Sequence, residues 1–327
     1  MVNDSIVGLT DGTVRLVSHK DDWAELFSAE KARLLTVLAP YVGTVVRDIE
    51  HVGSTSIPGI PAKPIIDIAV VVSDFDLADP CIEAIRGLGY VYLGLNEVPG
   101  RHFFYLLDEG TTTDRTHHLH MFEERSREWR QTLGFRDYLR DHPKTAAAYG
   151  QIKLDLAQQF SDDRPGYLEG KAPFITQVLR LSVPEQPILW TTVYDLDTGL
   201  HFDYSQDVVD QPVTVQQGLV GGSRRTHLMT ADRRSLYFEV TVFDTGQDVA
   251  ESVSRLVREL HERFEDVDVS ELQNIVIAGR SANLLAFDWS DMHREAIYVR
   301  NADNLFRFIY DPRGPLNLAI IDTVAWA

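Results

Sequence analysis

The stretch His51-Val52-Gly53-Ser54-Thr55-Ser56-Ile57-Pro58-Gly59-Ile60-Pro61-Ala62-Lys63-Pro64-Ile65-Ile66-Asp67-Ile68 places two kinds of chemistry in one short unit. Glycine lets a backbone approach an anion closely, and successive N–H groups beside hydroxyls form an anion cradle. Gly53, Ser54, Thr55 and Ser56 are therefore candidates to hold phosphate. The apolar run from Ile65 to Val72 has the length and composition of a buried strand. Asp67 is its only acid, and a carboxylate in such a place is costly unless compensated, for which holding a cation is one reason. Taken singly, the Gly-Ser pair can be an ordinary turn and the aspartate can bond backbone amides. Together, at this spacing, they read as a phosphate cradle with its metal carboxylate.

Working outward, Trp23, Leu26, Phe27, Leu34 and Leu38 recur at helical spacing, so an amphipathic helix opens at Lys20–Trp23. A β-branched run, Thr44–Val46, precedes the cradle. After it, Asp79-Pro80 reads as an N-cap followed by an N1 proline, and Gly87 and Gly89 end that short helix. Arg101–Leu107 and Thr116–Phe122 read as an antiparallel strand pair. From Glu128 to Leu181 the period is helical and broken at Pro143 and at 162–166, which gives three helices. Ser182–Pro187, with two prolines and no period, is the linker. Two domains are expected, residues 1–183 and 188–327, and the fold class is α+β. The second domain alternates in runs such as Leu236–Phe243, has one strong helix near 248–264, returns to strands as far as Trp326, and should contain an antiparallel sheet.

Length and composition agree with that division. A chain of 327 residues is long enough for two ordinary domains, and 44% hydrophobic with 24% charged residues describes a globular protein. No run approaches the ~20 apolar residues of a membrane helix, and the first residues carry no secretory pattern, so the cytoplasm is the expected compartment and no membrane partner is expected. Cys81 is the only cysteine, which rules out an intrachain disulfide and a thiolate zinc cluster. A formal charge of −18 opposes non-specific nucleic-acid binding, which needs Lys and Arg against phosphate. Residues 188–327 contain 12 arginines and no lysine.

The 51–68 run, followed by His118-Leu119-His120, Phe135-Arg136-Asp137-Tyr138-Leu139-Arg140, Tyr149, Lys153, Tyr167 and Lys171, resembles the GrpB family over about residues 12–183. That resemblance implies membership of the nucleotidyltransferase superfamily: a mixed sheet with helices, a divalent metal, and transfer of a nucleoside monophosphate from an NTP to an acceptor. Its relatives usually carry a second carboxylate two residues after the first, where this chain has Ala69. Two-metal phosphoryl transfer needs several oxygen ligands to hold ions ~3.5–4 Å apart, and one aspartate does not supply them.

His118 and His120 are candidate replacements, because strand residues two apart share a face while His117 points away. A metal set of Asp67, His118 and His120 favours Mn²⁺ or Zn²⁺ over Mg²⁺; the alternative is that the histidines bond backbone and carboxylates within a cleft. His51 is expected to orient the loop or touch phosphate. Lys153 and Lys171 form i,i+4 pairs with Tyr149 and Tyr167 and are candidates to neutralise phosphates, as is Lys63, although solvated helix faces explain many lysines equally well. Arg101 and His102 are weaker candidates for the same cleft, and Arg136 and Arg140 are expected to form salt bridges. The expected function is nucleotide binding with metal-dependent nucleotidyl transfer to an unidentified acceptor. The rivals are a non-catalytic nucleotide-binding or folding-accessory module and a phosphoesterase using the His-rich site.

The second half holds no comparable constellation. Gly221-Gly222-Ser223-Arg224-Arg225 reads as a polar hairpin turn, and Tyr194–Gly199 lacks the ligands of a calcium loop. Its element order is faintly similar to PsbP-like domains, and protein interaction or substrate presentation is its expected use.

Overall fold

The computed structural model describes residues 7–10, 14–95, 100–161, 163–184, 191–194, 198–204, 214–220, 223–229, 237–243, 247–264, 266–290 and 292–326. The chain divides into two compact units, Met1–Glu185 and Gln186–Ala327.

The first unit runs β1 (Leu9–Thr10), α1 (Asp22–Leu38), β2 (Val46–Val52), β3 (Ile66–Val72), α2 (Asp79–Gly87), β4 (Val91–Tyr92), β5 (His102–Leu107), β6 (Asp114–Glu123), α3 (Arg127–Asp141), α4 (Pro143–Gln159) and α5 (Arg164–Ser182). Its sheet has the order β2-β3-β6-β5-β4, with β1 on β6. It is mixed, because β3 and β6 are parallel while the other pairs are antiparallel.

Both faces of this sheet are covered, which is why β3 is almost continuously apolar. Ile66, Ile68, Val70 and Val72 pack with Trp23, Leu34 and Leu38 of α1 and Ile82 and Ile85 of α2. On the opposite face, Val52, Ala69, Val71 and Phe122 meet Trp129 of α3. A separate core joins Ile57 and Ile60 of the loop to Leu139, Ala146, Tyr149, Phe174 and Val178 of the last three helices. The segment between β2 and β3 is thereby clamped between sheet and helices. One boundary differs from the sequence reading: Ala78 is the N-cap of α2, and Asp79 and Pro80 already lie inside the helix.

The second unit contains β7 (Thr191–Tyr194), β8 (Leu200–Tyr204), β9 (Thr214–Val220), β10 (Ser223–Met229), β11 (Tyr237–Phe243), α6 (Val249–Arg263), β12 (Val267–Val269), β13 (Gln273–Ile277), β14 (Arg280–Trp289), β15 (Met292–Asn301), β16 (Asn304–Tyr310), α7 (Pro315–Ile321) and β17 (Ala325–Trp326). An antiparallel sheet runs β12-β14-β15-β16-β11-β10-β9, and β7, β8 and β17 form a smaller antiparallel sheet. Asp248 caps α6 by accepting from the Ala250 and Glu251 amides. Leu256 and Leu260 of that helix pack with Leu285, Ala296, Tyr298 and Ile309 of the sheet. The helix α7 is absent from the sequence reading, which had only strands there. Leu316, Asn317, Leu318, Ile320 and Ile321 are all buried, so no polar face remains to reveal a helical period. Gly221, Gly222, residues 195–197 and residues 185–187 of the linker lie outside the described residues. Among the described helices, none is long and apolar enough to cross a membrane.

Candidate nucleotide and metal site

The cradle begins where β2 ends. Gly53 takes φ 68° and ψ −174°, and Ser54–Ser56 form one turn of 3-10 helix. That φ is open to glycine and strained for other residues. The turn is held by its own hydroxyls: Ser56 Oγ donates to the Gly53 carbonyl at 2.6 Å and Thr55 Oγ1 to the Ile65 carbonyl at 3.3 Å. Helix α3 holds it from outside. Arg140 donates through Nε and Nη2 to the Ser56 carbonyl at 3.0 and 2.8 Å, and Arg136 donates to the His51 carbonyl at 2.8 Å and to Glu50 at 2.6 Å. Arg136 also bonds Asp137 at 2.8 Å and Arg140 lies 4.0 Å from the same carboxylate, so the expected salt bridges are present, while the shortest bonds of Arg140 go to the carbonyl.

The fold divides the five candidates of the 51–56 run between two jobs. His51 pairs across β3 with Ile68, on the face covered by α1, where its ring stacks on Phe27 with centroids 4.7 Å apart and its Nε2 lies 3.1 Å from Thr55 Oγ1. Burial pushes its pKa down to about 4, so the imidazole is neutral. His51 thus supports the loop from behind the sheet, and Val52, not His51, shares the Asp67 face. Thr55 and Ser56 spend their hydroxyls within the loop. Ser54 hydrogen-bonds with Tyr149.

Asp67, His118 and His120 come together, because β3 and β6 are neighbours in a register that sets Asp67 beside His118 and Ala69 beside His120. Oδ1 of Asp67 lies 3.3 Å from His118 Nδ1 and 3.5 Å from His120 Nε2. One ligand atom from each residue lies within 4.8 Å of the other two, a donor set of a kind and spacing that suits one divalent ion. Among the described residues, Nε2 of His118 is buried without a hydrogen-bond partner. Burial by itself would raise the Asp67 carboxyl, but the hydrogen bonds it makes with the two histidines hold it well below the usual carboxylate range. His117 faces the α1 side and bonds the adjacent Thr116 hydroxyl at 2.9 Å.

Arg101 reaches this cluster and His102 does not. Arg101 Nη1 is 2.6 Å from His120 Nδ1, and the guanidinium lies over the Phe103 ring at 5.0 Å. His102 instead bonds the Tyr92 hydroxyl at 2.5 Å on the other face. Ala69 has Glu50 as its cross-strand neighbour, so a carboxylate does stand beside the usual second position, engaged by Arg136. The sequence reading assigned no role to Glu50, since only the pairing of β2 with β3 brings it there.

Three lysines gather on the helical side. Lys153 is 2% exposed, lies over the Tyr149 ring at 4.7 Å and donates to the Pro61 carbonyl at 2.5 Å. Lys63 and Lys171 flank the Tyr167 ring at 5.4 and 4.3 Å. Burial, reinforced by Lys171, lowers Lys153 to about 7. Burial and the charge of Lys63 lower Lys171 to about 8, with Asp67 opposing the shift. For Lys153 and Lys171, burial disfavours the charged ammonium, and a neighbouring anion would favour it.

The GrpB protein family model matches residues 13–181, and the chain belongs to the GrpB family. It is 34% identical over 175 residues to the glutamate-rich protein GrpB of Alkalihalophilus pseudofirmus, covering 53% of this chain and 98% of that one. It is similar to a crystal structure of conserved protein GrpB from Enterococcus faecalis at 31% identity and a TM-score of 0.46, over 51% of this chain and 96% of the other. A likeness to the solution structure of cyanobacterial PsbP from Synechocystis sp. PCC 6803, at 12% identity and a TM-score of 0.33 over 44% of this chain and 95% of that one, is too weak to carry an argument.

Proposed function

We propose that the first unit binds a nucleoside triphosphate and, with a divalent ion, transfers its nucleoside monophosphate to an acceptor. The carrying observation is that the Asp67 carboxylate lies against Gly53, while Lys153 lies over Tyr149, the hydrogen-bond partner of Ser54, and Lys63 and Lys171 lie by the Tyr167 ring. In this reading the Gly53 and Ser54 amides and the three ammonium groups take the phosphate oxygens, acting as point charges and preformed dipoles. Asp67, His118 and His120 would hold Mn²⁺ or Zn²⁺ more readily than Mg²⁺. Such an ion supplies charge neutralisation and Lewis acidity at the phosphoryl oxygens. The acceptor oxygen then bonds to the α-phosphorus, the bond to the bridging oxygen breaks, and pyrophosphate leaves.

A second reading, nucleotide binding without turnover, is favoured by Ala69 and by the engagement of its cross-strand neighbour Glu50 with Arg136, since together they leave Asp67 as the one carboxylate beside His118 and His120. Incubating the full chain with labelled ATP, GTP, CTP or UTP plus Mg²⁺ or Mn²⁺ separates the two. Metal-dependent pyrophosphate release supports transfer, and binding without release supports the module. The second unit is proposed to serve protein interaction.

A further inference from the structure

We infer that Arg101 keeps a cation out of the site formed by Asp67, His118 and His120 until a phosphate draws the guanidinium away, so that phosphate and metal strengthen each other's binding. The inference rests on the reading of those three residues as metal ligands.

It follows from which atoms carry hydrogen. A guanidinium offers donors and no acceptor. At 2.6 Å from Arg101 Nη1, His120 Nδ1 must therefore be the accepting, unprotonated nitrogen. A neutral imidazole then has its proton on Nε2, the atom facing Asp67 Oδ1 at 3.5 Å. A metal needs a bare lone pair at that position. Ligating histidines ordinarily donate from the other ring nitrogen to an acceptor, which is the reverse of this arrangement. For His120 to bind an ion through Nε2, its proton must move to Nδ1, where it would point at another N–H. Arg101 must leave first. Its positive charge beside Asp67 opposes a cation as well.

The same residue is equipped to respond to an anion. Among the described residues, Arg101 Nε is buried with no hydrogen-bond partner, so its donor capacity is not exhausted by His120. Phosphate oxygens accept from guanidinium more strongly than a neutral imidazole does. The lysines around Tyr149 and Tyr167 define the side from which such an anion arrives. Because coupling between two ligands is reciprocal, the metal must tighten phosphate by the factor that phosphate tightens the metal.

The test uses the full chain, Mn²⁺, and methyl phosphate as an anion that complexes Mn²⁺ weakly, with that complexation measured separately without protein. Calorimetry on the wild type should show Mn²⁺ binding at least about tenfold tighter at saturating methyl phosphate. Arg101→Met keeps an apolar stem over Phe103 and removes the donors; it should bind Mn²⁺ without phosphate as tightly as the wild type does with it, and gain nothing further. Nitrogen-15 spectra of the metal-free wild type give a readout independent of any variant, and His120 should be protonated on Nε2 and bare on Nδ1. The inference is overturned if His120 carries its proton on Nδ1, or if Arg101→Met leaves Mn²⁺ affinity unchanged or weaker. Equal Mn²⁺ affinity in both proteins with and without phosphate would remove the latch and leave the metal reading standing. Absence of Mn²⁺ binding under every condition would remove both.

Discussion

Gly53 and Asp67 exclude each other's side chains: a Cβ at Gly53 would lie 2.8 Å from both Cβ and Cγ of Asp67. The glycine that opens the loop is thus required by the aspartate of the next strand as much as by its own φ of 68°. Gly53→Ala should therefore cost about 1–3 kcal/mol of stability in the first unit through backbone strain alone, and should displace the carboxylate as well. Gly53→Val should do more of both and eliminate nucleotide binding. Ser54→Ala removes a single hydroxyl contact worth about 0.5–1.5 kcal/mol, a two- to tenfold loss in affinity. Chemical denaturation and nucleotide titration on the three variants would check the ranking. A folded Gly53→Val that binds triphosphates as the wild type does would reduce the loop to a turn.

Asp67→Asn keeps the volume of the side chain and removes its charge. It should abolish divalent-ion binding while the far-ultraviolet spectrum and the cooperative melt persist. Unchanged Mn²⁺ affinity in the folded variant, measured by calorimetry, would take Asp67 out of the site.

Lys153 and Lys171 predict opposite pH trends for stability and for anion binding. Both pKa values are depressed in the folded state, to about 7 and about 8, so the unfolded chain binds more protons above those values. Their contribution to stability therefore rises with pH from about 7 up to the ordinary lysine range, and is flat below it. Anion affinity should fall over the same interval, as the ammonium groups lose charge. Melts of wild type and Lys153→Met between pH 7 and 9.5 test the first trend, since the difference between them should shrink or reverse as pH rises. Titrations of triphosphate across that range test the second, and pH-independent affinity would argue against the lysines as phosphate ligands.

Residues 1–183 expressed alone should be soluble and melt cooperatively, because, among the described residues, every member of the hydrophobic clusters around β3 and the loop between β2 and β3 precedes Val183. Val183 itself belongs in the fragment, since it packs against Gly134 of α3. Aggregation or a broad, non-cooperative transition would show that the fragment depends on the rest of the chain.

What was legible from residues alone was local. The spacing of Trp23, Leu26, Phe27, Leu34 and Leu38 marks α1, the unbroken run to Val72 marks a strand covered on both faces, and the alternation of His118 and His120 puts both on one side of β6. These follow from helical and strand periods of 3.6 and 2, which act over a few residues. Gly53 and Asp67 were recognisable for the same reason, since an unusual residue type stands out against its immediate surroundings.

Tertiary structure alone decided which of these residues meet. The order β2-β3-β6-β5 puts Asp67 beside His118, brings Glu50 next to Ala69, turns His51 toward α1, and carries Arg101 from the start of β5 to His120. It also sends Arg140 to the Ser56 carbonyl and leaves α7 without a polar face. Strand order and register arise from packing between segments tens of residues apart, and a local period carries no information about them.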